Sequence, residues 1–147
     1  MADQAGSSVT DGLEQIISAG VALTTRAIAT AGPGLELTFP QWRVLVVLGQ
    51  ASDGVRLTDI AQRIGVTPPA TGRQVRRLER RGLVTIRSDE RDRRSSRAHL
   101  TAEGLTALDA IRTARRAEIV RIAGAFEGRK QLETNLAQLA RAFEGIG

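Results

Sequence analysis

The chain has 147 residues and a net charge of +5, and 41% of its residues are hydrophobic against 25% charged. This length suits one domain with a buried core, which is aliphatic because the sequence holds three Phe, one Trp and no Tyr. With no cysteine and a single histidine, His99, the chain excludes disulfides and cysteine-based zinc sites, so we expect neither a metal nor a cofactor.

A first helix is predicted over residues 9 to 31, where apolar residues recur at mostly helical intervals and Thr10 or Asp11 can act as the N-cap. The N-terminal stretch MADQAGSSVTDGLEQ has no basic segment followed by an apolar one. No apolar run reaches the roughly 20 residues that span a bilayer. We therefore expect a cytoplasmic protein with no membrane partner.

A second helix begins at Thr38-Phe-Pro-Gln41, because Thr38 and Gln41 have the spacing of a capping box and Pro40 lies in the first turn. The following WRVLVVLGQA is apolar on nearly all sides, which predicts a central, buried helix. For Trp42 we favour core packing in this helix, and the alternative is that it lines an inter-domain pocket.

A helix-turn-helix is predicted next. Val55 to Leu57 can form a short strand, Thr58 can cap a third helix, and Gly65 ends that helix. Thr67 then caps a fourth helix with Pro68 at its first position. Two short helices joined by a glycine-containing turn of this length are typical of a helix-turn-helix.

The fourth helix, about Pro68 to Arg81, has two contrasting faces at about 100° per residue. Gly82 ends it. A solvated helix face normally mixes charges of both signs, so a face made of arginine indicates contact with phosphates or bases, although a merely solvated surface is the alternative. The basic face carries Arg73, Arg76, Arg77 and Arg80, and the opposite, core face carries Thr71, Val75 and Leu78.

Basic charge is concentrated between Arg73 and Arg97, where ten arginines and four acids give +6 in a chain whose total is +5. Such a segment favours a polyanionic partner that meets one face of the protein. Twenty of the 21 basic residues are arginine, which suits bidentate contacts to phosphates and bases. A GC-rich genome explains the preference for arginine over lysine but not the clustering.

A β-hairpin follows, because Leu83 to Arg87 alternates as a strand and Arg97 to Leu100 can return antiparallel to it. The run SDERDRRSSRAHLT then contains the tip of this hairpin, and a hairpin directly after a helix-turn-helix predicts a winged helix. We interpret Asp89 and Glu90 as solubilising residues of the loop. Arg91 and Arg97 contact phosphate or simply face water, and an inert, half-exposed His99 is favoured over a ligand contact.

Two more helices complete the predicted order. Thr101-Ala-Glu-Gly caps a long helix that runs to about Phe126 with a stripe including Leu105, Leu108 and Ile119, and Gly128 breaks it. A last helix covers Arg129 to Ile146. The apolar stripes of the first and the last two helices lie outside the winged core and need a partner, and a second copy of the chain would bury them most readily.

Three runs resemble the MarR family of bacterial transcription regulators: LTFPQWRVLVVL, LTDIAQRIGVTPPATGRQVRRLERRGLV and DERDRRSSRAHLTAEG. The most specific part is the wing signature, Asp92-Arg93-Arg94, five intervening residues and then Leu100-Thr101. The resemblance implies a single MarR-like domain over residues 1–147, mainly α with a small β-wing. Dimerisation helices at 10–31 and 101–146 would flank a winged helix-turn-helix region at 37–100.

The resemblance further implies an obligate homodimer that binds a pseudo-palindromic operator in double-stranded DNA and usually represses transcription. Pro68 to Arg77 would enter the major groove, Arg94 would reach the flanking minor groove, and Asp92 would hold the wing arginines by an ion pair. In many members a small, often aromatic, anionic effector weakens DNA binding. Without cysteine, and with one histidine, the chain does not fit the peroxide-sensing or metal-sensing branches.

For the contacts themselves, we expect Thr67 and the free N–H groups at the start of the fourth helix to bind a phosphate, while Arg73 and Arg76 reach base edges. Arg77, Arg80 and Arg87 are better placed for the DNA backbone. The predicted DNA-binding residues are Thr67, Pro68, Pro69, Ala70, Gly72, Arg73, Arg76, Arg77, Arg87, Asp92, Arg93 and Arg94.

The alternative function is a winged helix used for protein–protein contact or for nonspecific, architectural DNA binding. An enzyme is not expected, because the sequence shows no Ser/His/Asp set, glycine-rich phosphate loop or convergent carboxylate pair, and no catalytic residue is predicted.

Overall fold

Helices dominate the part of the chain that the computed structural model describes, which comprises residues 2–31, 34–89, 95–125 and 129–144. In chain order the elements are α1 (Ala2–Thr30), α2 (Phe39–Leu48), β1 (Val55–Arg56), α3 (Leu57–Ile64), α4 (Pro68–Arg80), β2 (Val84–Ser88), β3 (Ser96–Leu100), α5 (Ala102–Ala123) and α6 (Arg129–Glu144). None of the helices in these residues is long and apolar enough to cross a membrane.

Helix α1 starts earlier than the sequence predicts. It begins at Ala2, so Thr10 and Asp11 lie inside the helix and the prediction that one of them caps its N-terminus is wrong. Both residues are exposed. A short polar residue that suits an N-cap is also tolerated on the solvated side of a helix, so the sequence alone does not fix this boundary.

Helix α2 confirms the predicted capping box. The backbone N–H of Thr38 donates to Gln41 Oε1 at 2.9 Å, and the backbone N–H of Gln41 donates to Thr38 Oγ1 at 3.4 Å. Val44, Leu45 and Leu48 of the same helix are fully or almost fully buried. Helix α2 is therefore central, as its nearly continuous apolar sequence predicts.

The start of α3 differs from the prediction. The helix begins at Leu57 with Arg56 at the N-cap position, and the hydroxyl of Thr58 lies 3.3 Å from Asp59 Oδ1 instead of capping the helix. Pairing of β1 with β3 sets this boundary, since the extended backbone continues to Arg56, opposite Arg97. The end of α3 is as predicted, because Gly65 adopts the left-handed conformation with φ +67°.

The three strands form one antiparallel sheet in the order β1-β3-β2. The hairpin pairs β2 with β3 from Val84 opposite Leu100 to Ser88 opposite Ser96. On the inner face of the sheet Val84 and Ala98 are buried against the helices. A hairpin of this kind directly after the helix-turn-helix of α3 and α4 confirms the predicted winged helix.

The chain divides into two compact units, one ending at Arg115 and one beginning at Arg116. In the first unit, α5 contributes Leu108 and Ile111 to the core, where both are fully buried. Other members of the predicted α5 stripe, Leu105 and Ile119, are exposed, so the stripe is not buried as a whole within the single chain. In the second unit, α6 has Leu136 exposed, and Phe126, Gly128 and the side chain of Phe143 lie outside the described residues.

The junction between the wing and α5 is closely packed. Thr101 Oγ1 donates to the carbonyl oxygen of Gly82 at 2.7 Å and accepts the backbone N–H of Gly104 at 3.0 Å, which confirms Thr101 as the predicted cap. Gly104 is buried against the carbonyl of Leu83, and a Cβ added at Gly104 would collide with that oxygen. Only glycine therefore allows α5 to start this close to the base of the wing.

We predict that Gly104→Ala destabilises the protein by about 1 to 3 kcal/mol, because the backbone of Leu83 must move to admit the methyl group. The matched control is Gly72→Ala on α4, where a Cβ meets nothing within 4 Å and the backbone is helical. That control should gain about 0.5 to 1 kcal/mol. Urea unfolding at one fixed protein concentration measures both, and a Gly104→Ala protein as stable as the parent would contradict the close contact.

Candidate nucleic-acid interface

Helix α4 has the two faces that the sequence predicts. Thr71, Val75 and Leu78 have no exposed surface and hold the helix against the core. On the other side lies the arginine face, which we define as Arg73, Arg76, Arg77 and Arg80, and all four are exposed. Within the described residues none of these arginines forms an ion pair. Glu79 is occupied elsewhere, because its Oε1 accepts the backbone N–H of Ile86 at 3.1 Å.

The N-terminus of α4 offers fewer donors than we expected from the sequence. Thr67 occupies the N-cap position, but its side chain makes no capping hydrogen bond. Pro68 and Pro69 have no N–H, and the N–H of Thr71 donates to the carbonyl of Thr67 at 3.0 Å. Ala70 therefore supplies the free N–H of the first turn, together with the exposed hydroxyl of Thr67. The set of N–H groups expected to bind a phosphate is reduced to one.

An arginine from α2 fixes the turn between α3 and α4. Arg43 Nη1 donates to the carbonyl oxygen of Ile64 at 2.6 Å, and Arg43 Nη2 donates to that of Arg63 at 3.3 Å. These contacts satisfy carbonyl groups that the end of α3 leaves without helical partners. Sequence reasoning missed Arg43, although it is the one charged residue in the apolar run of α2 and could have been found by that contrast.

The wing contributes Arg87, which lies on β2 with an exposed side chain and no ion pair to the described residues. The predicted tip residues Asp92, Arg93 and Arg94 lie outside the described residues, as does Arg91. The proposed reach of Arg94 into a minor groove and the ion pair expected of Asp92 therefore stay predictions.

A buried carboxylate at the end of β2, where the tip loop of the hairpin begins, ties the wing to β1 and the helix-turn-helix. Asp89 Oδ2 accepts from Arg56 Nε at 2.7 Å and from Arg97 Nη1 at 3.3 Å, and the side chain of Asp89 is only 3% exposed. Arg97 also donates from Nε to the carbonyl of Asp53 at 3.1 Å and from Nη2 to that of Gly54 at 2.9 Å. We call Arg56, Asp89 and Arg97 the wing clamp.

The wing clamp corrects two interpretations of the sequence. Asp89 is not a solubilising residue, because its buried carboxylate joins β1 to the hairpin. Arg97 is neither a phosphate contact nor a residue that simply faces water, because its guanidinium donates hydrogen bonds to Asp89 and to the turn before β1. Sequence spacing gave no signal for the clamp, because Arg56 lies 33 residues before Asp89 and only the sheet register places it beside Arg97.

Arg81, another member of the basic segment, also has a structural contact. It donates from Nη1 to the carbonyl of Glu36 at 2.6 Å and from Nη2 to the carbonyl of Gly34 at 3.1 Å, so it holds the end of α4 to the segment before α2. Arg81 and Arg97 thus bind backbone carbonyls, whereas the arginine face and Arg87 keep their guanidinium groups available to an outside partner.

The two open assignments, Trp42 and His99, have distinct surroundings. Trp42 is half-buried against the core, 5.3 Å from the ring of Phe39, with the guanidinium of Arg115 5.3 Å from its own ring centre. Trp42 Nε1 is buried and has no hydrogen-bond partner among the described residues. His99 is half-buried on β3, against Gly54. Within the described ranges no three His, Asp or Glu side chains are grouped so as to hold a metal ion.

Comparison with known proteins identifies a matching family and solved structures with a similar fold. A family model described as "MarR family" matches residues 35–95, from the segment before α2 to the residue before β3. The chain is similar to RV1404 from Mycobacterium tuberculosis, with 30% identity over 95% of this chain and 92% of that one and a TM-score of 0.79.

Two structures from Rhodococcus share the fold at lower identity. One is a transcriptional regulator (MarR family) from Rhodococcus sp. RHA1, at 22% identity over 96% of this chain and 93% of that chain, with a TM-score of 0.75. The other is CouR from Rhodococcus jostii RHA1 bound to p-coumaroyl-CoA, at 23% identity over 94% of this chain and 90% of that one, with a TM-score of 0.74.

We predict that Asp89→Asn destabilises the protein by about 2 kcal/mol, because the amide keeps the shape of the carboxylate but loses charge-assisted hydrogen bonds to two guanidinium groups. The control is Asp109→Asn. It makes the same change in an Asp–Arg ion pair, but the carboxylate of Asp109 is exposed and lies 3.2 Å from Arg112. That control should change stability by less than about 0.5 kcal/mol. Equal urea midpoints for the two variants would show that the wing clamp contributes no more than a surface pair.

Proposed function

Because the chain belongs to the MarR family of transcription regulators, we propose that it binds a pseudo-palindromic DNA operator as a homodimer and represses transcription. The observation that carries the proposal is the arginine face of α4, four exposed guanidinium groups on a helix whose other side is locked into the core. Such a charge distribution matches the phosphate backbone and the base edges of duplex DNA.

The shape of the leading end of α4 supports insertion into the major groove. Pro68 and Pro69 are exposed at the tip, and Gly72 has no side chain and open space around it. Compact residues let the helix backbone approach the bases closely, and their apolar surface suits thymine methyl groups. Thr67 and the N–H of Ala70 would anchor one phosphate at the edge of the groove.

The arginines divide by their position along α4. Arg73 is the first arginine of the helix and Arg76 follows three residues later on the same face, so we assign them to base edges, with guanine O6 and N7 as the first choice for a bidentate pair. Arg77 and Arg80 follow towards the C-terminus, and with Arg87 on the wing we assign them to backbone phosphates. On this assignment the preference for one DNA sequence depends on the two arginines that contact bases, whereas the overall affinity for DNA depends on all five.

The wing is the second proposed contact with DNA. We assign Arg93 and Arg94 to the flanking minor groove, with Asp92 bracing them as the family resemblance implies. The wing clamp supports this assignment, because it anchors the tip-side end of the hairpin strands, Asp89 to Arg56 at 2.7 Å and Arg97 to the carbonyls of Asp53 and Gly54 in the turn before β1. With the strand ends anchored directly beside the tip loop, the tip would stay at a fixed distance from α4.

Homodimerisation is proposed from apolar side chains that one protomer leaves exposed on its long terminal helices. Large exposed apolar patches mark interaction surfaces, and a second copy is the simplest partner. Such a dimer would act on the chromosome, in the cytoplasm. Among the described residues, the large apolar side chains exposed on α1, α5 and α6 are Val9, Ile16, Ile17, Val21, Leu105, Ile119, Val120, Ile122 and Leu136.

An effector is proposed on two grounds. The Rhodococcus relative CouR binds p-coumaroyl-CoA, an aromatic CoA ester. In this chain a cavity of about 450 Å³ lies between the end of α1, the start of β2 and the start of α5, and most of its lining is apolar. Its charged lining residue is Glu103, so the cavity suits the aromatic part of a ligand better than an acidic group.

In vitro selection of bound DNA with the purified protein tests the proposal. A dimer of helix-turn-helix units should recover two inverted half-sites about 34 Å apart, one helical turn. A single half-site would contradict the dimer. An architectural DNA binder, the alternative function, would recover no consensus, and its affinity would fall steeply with salt for every sequence alike. A winged helix used for protein contact would retain no DNA at all.

We predict that Arg73→Ala weakens operator binding by about 1 to 3 kcal/mol per half-site and relaxes the preference at one base pair of each half-site. Arg77→Ala should weaken binding to all sequences about equally and reduce the salt slope by about two, because the dimer loses one phosphate contact in each half-site. Fluorescence anisotropy with the selected operator, with single-base variants and with random DNA separates the two effects. A uniform loss over all sequences for Arg73→Ala would make Arg73 a phosphate contact.

We predict that Arg94→Ala lowers operator affinity about tenfold without changing the unfolding midpoint, because a guanidinium at the wing tip has no core role. Arg116→Ala, which removes an exposed arginine from α5, is the charge-matched control and should bind as the parent does. A gel-shift titration beside a thermal melt gives both readings. Unchanged affinity for Arg94→Ala would remove the wing from the interface.

A further inference from the structure

The outer face of the wing sheet has a regular arrangement of cationic and hydroxyl side chains. Because side chains alternate along a strand, the residues that pair with one another share a face. Arg56 lies opposite Arg97, and Arg97 lies opposite Arg87, so three arginines form a row across the sheet. The adjacent pair on the same face is Thr85 opposite His99.

The carboxylate of Asp89 pairs with two of the three arginines in this row and not with the third. The carboxylate of Asp89 accepts from both Arg56 and Arg97, and Arg97 also binds two backbone carbonyls of the preceding turn. Arg87, at the other end of the row, has no hydrogen bond or ion pair to any described residue. One guanidinium of the three is therefore available to an anion from outside.

A cavity of about 310 Å³ lies directly beside Arg87. Its walls come from the turn after α2, from β2 and from the end of β3, and no acidic side chain is among its lining residues. Gly54, with φ +69°, forms one wall against His99, and a Cβ at Gly54 would come within 2.6 Å of the imidazole ring. The lining residues are Ala51, Ser52, Gly54, Thr85, Arg87, His99, Leu100 and Thr101.

We propose that this cavity binds a small oxyanion of the phosphate class through Arg87, His99 and Thr85. The guanidinium fork of Arg87 can hold two anion oxygens, the Thr85 hydroxyl can donate to one of them, and the ring of His99 supplies a further N–H. Thr85 and Arg87 are two residues apart on β2, and His99 is the direct neighbour of Thr85, so the three polar groups converge on one side of the sheet.

The cavity is polar and small, so a phosphate group fits its chemistry better than a drug-sized apolar ligand does. The phosphate could belong to the DNA backbone or to a free phosphorylated molecule, because both present the same oxygens. The site differs from the apolar cavity near Glu103, which lies at the start of α5 and has no arginine in its lining.

Titration with inorganic phosphate tests the site without DNA. Backbone amide signals of Thr85 and His99 are followed by NMR, with sodium chloride holding the ionic strength constant. We expect saturable shifts that Arg87→Gln weakens about tenfold and Thr85→Val, an isosteric change on a strand, about threefold. Lys130→Gln removes one exposed positive charge from α6 and should leave the titration unchanged.

Shifts that grow linearly with phosphate would overturn the proposal, as would equal titrations for the parent, Arg87→Gln and Thr85→Val. Unchanged amide spectra of the free variants away from the sheet establish that they remain folded. A protein that binds phosphate here but selects no operator would refute the proposed function and leave this site intact.

A second titration identifies the source of the phosphate. The protein is first saturated with duplex DNA, and inorganic phosphate is then added at the same ionic strength. If the cavity holds a backbone phosphate, the Thr85 signal already sits near its saturated position, and Thr85→Val weakens binding to all DNA sequences equally. If the cavity serves a free phosphorylated molecule, the phosphate titration is the same with and without DNA.

Discussion

The direction of every exposed arginine on α4 depends on three residues on the other side of the same helix. Thr71, Val75 and Leu78 have no exposed surface, and rotating the helix by one residue would bring Val75 or Leu78 to water and push a guanidinium towards the core. Burying an aliphatic side chain stabilises by roughly 1.5 to 3 kcal/mol, and burying an unpaired charge costs several times that. The packing of the core therefore fixes which face of α4 carries its exposed arginines.

Arginine has two separate uses in this protein. Arg43, Arg81 and Arg97 each direct a guanidinium at backbone carbonyls of a distant segment: the end of α3, the segment before α2 and the turn before β1. These contacts lock the helix-turn-helix and the wing into one geometry. The arginine face and Arg87 have no such partners among the described residues, so the same side chain stabilises the fold in one place and is available to an outside partner in another.

Local patterns could be predicted from the sequence, and long-range pairings could not. The capping box at Thr38, the left-handed Gly65 and the two faces of α4 follow from residues within one or two turns of each other, and all are confirmed. Thr58 failed as a cap because strand pairing extends to Arg56. Asp89 was misjudged because its partner Arg56 reaches it only through the register of a two-residue strand. The roles of the wing-tip residues remain predictions, since those residues lie outside the described part of the chain.

The two prolines at the start of α4 have a consequence for the energetics of binding. Their rings hold φ near −65°, so the end of the helix is ordered before any partner arrives and little conformational entropy is lost there on association. Their lack of N–H groups also leaves Ala70 as the single backbone donor of the first turn. A rigid N-terminus with one backbone N–H donor would hold a phosphate at one fixed point. That contact would set the angle at which α4 enters a groove, and the arginines would then contact the bases.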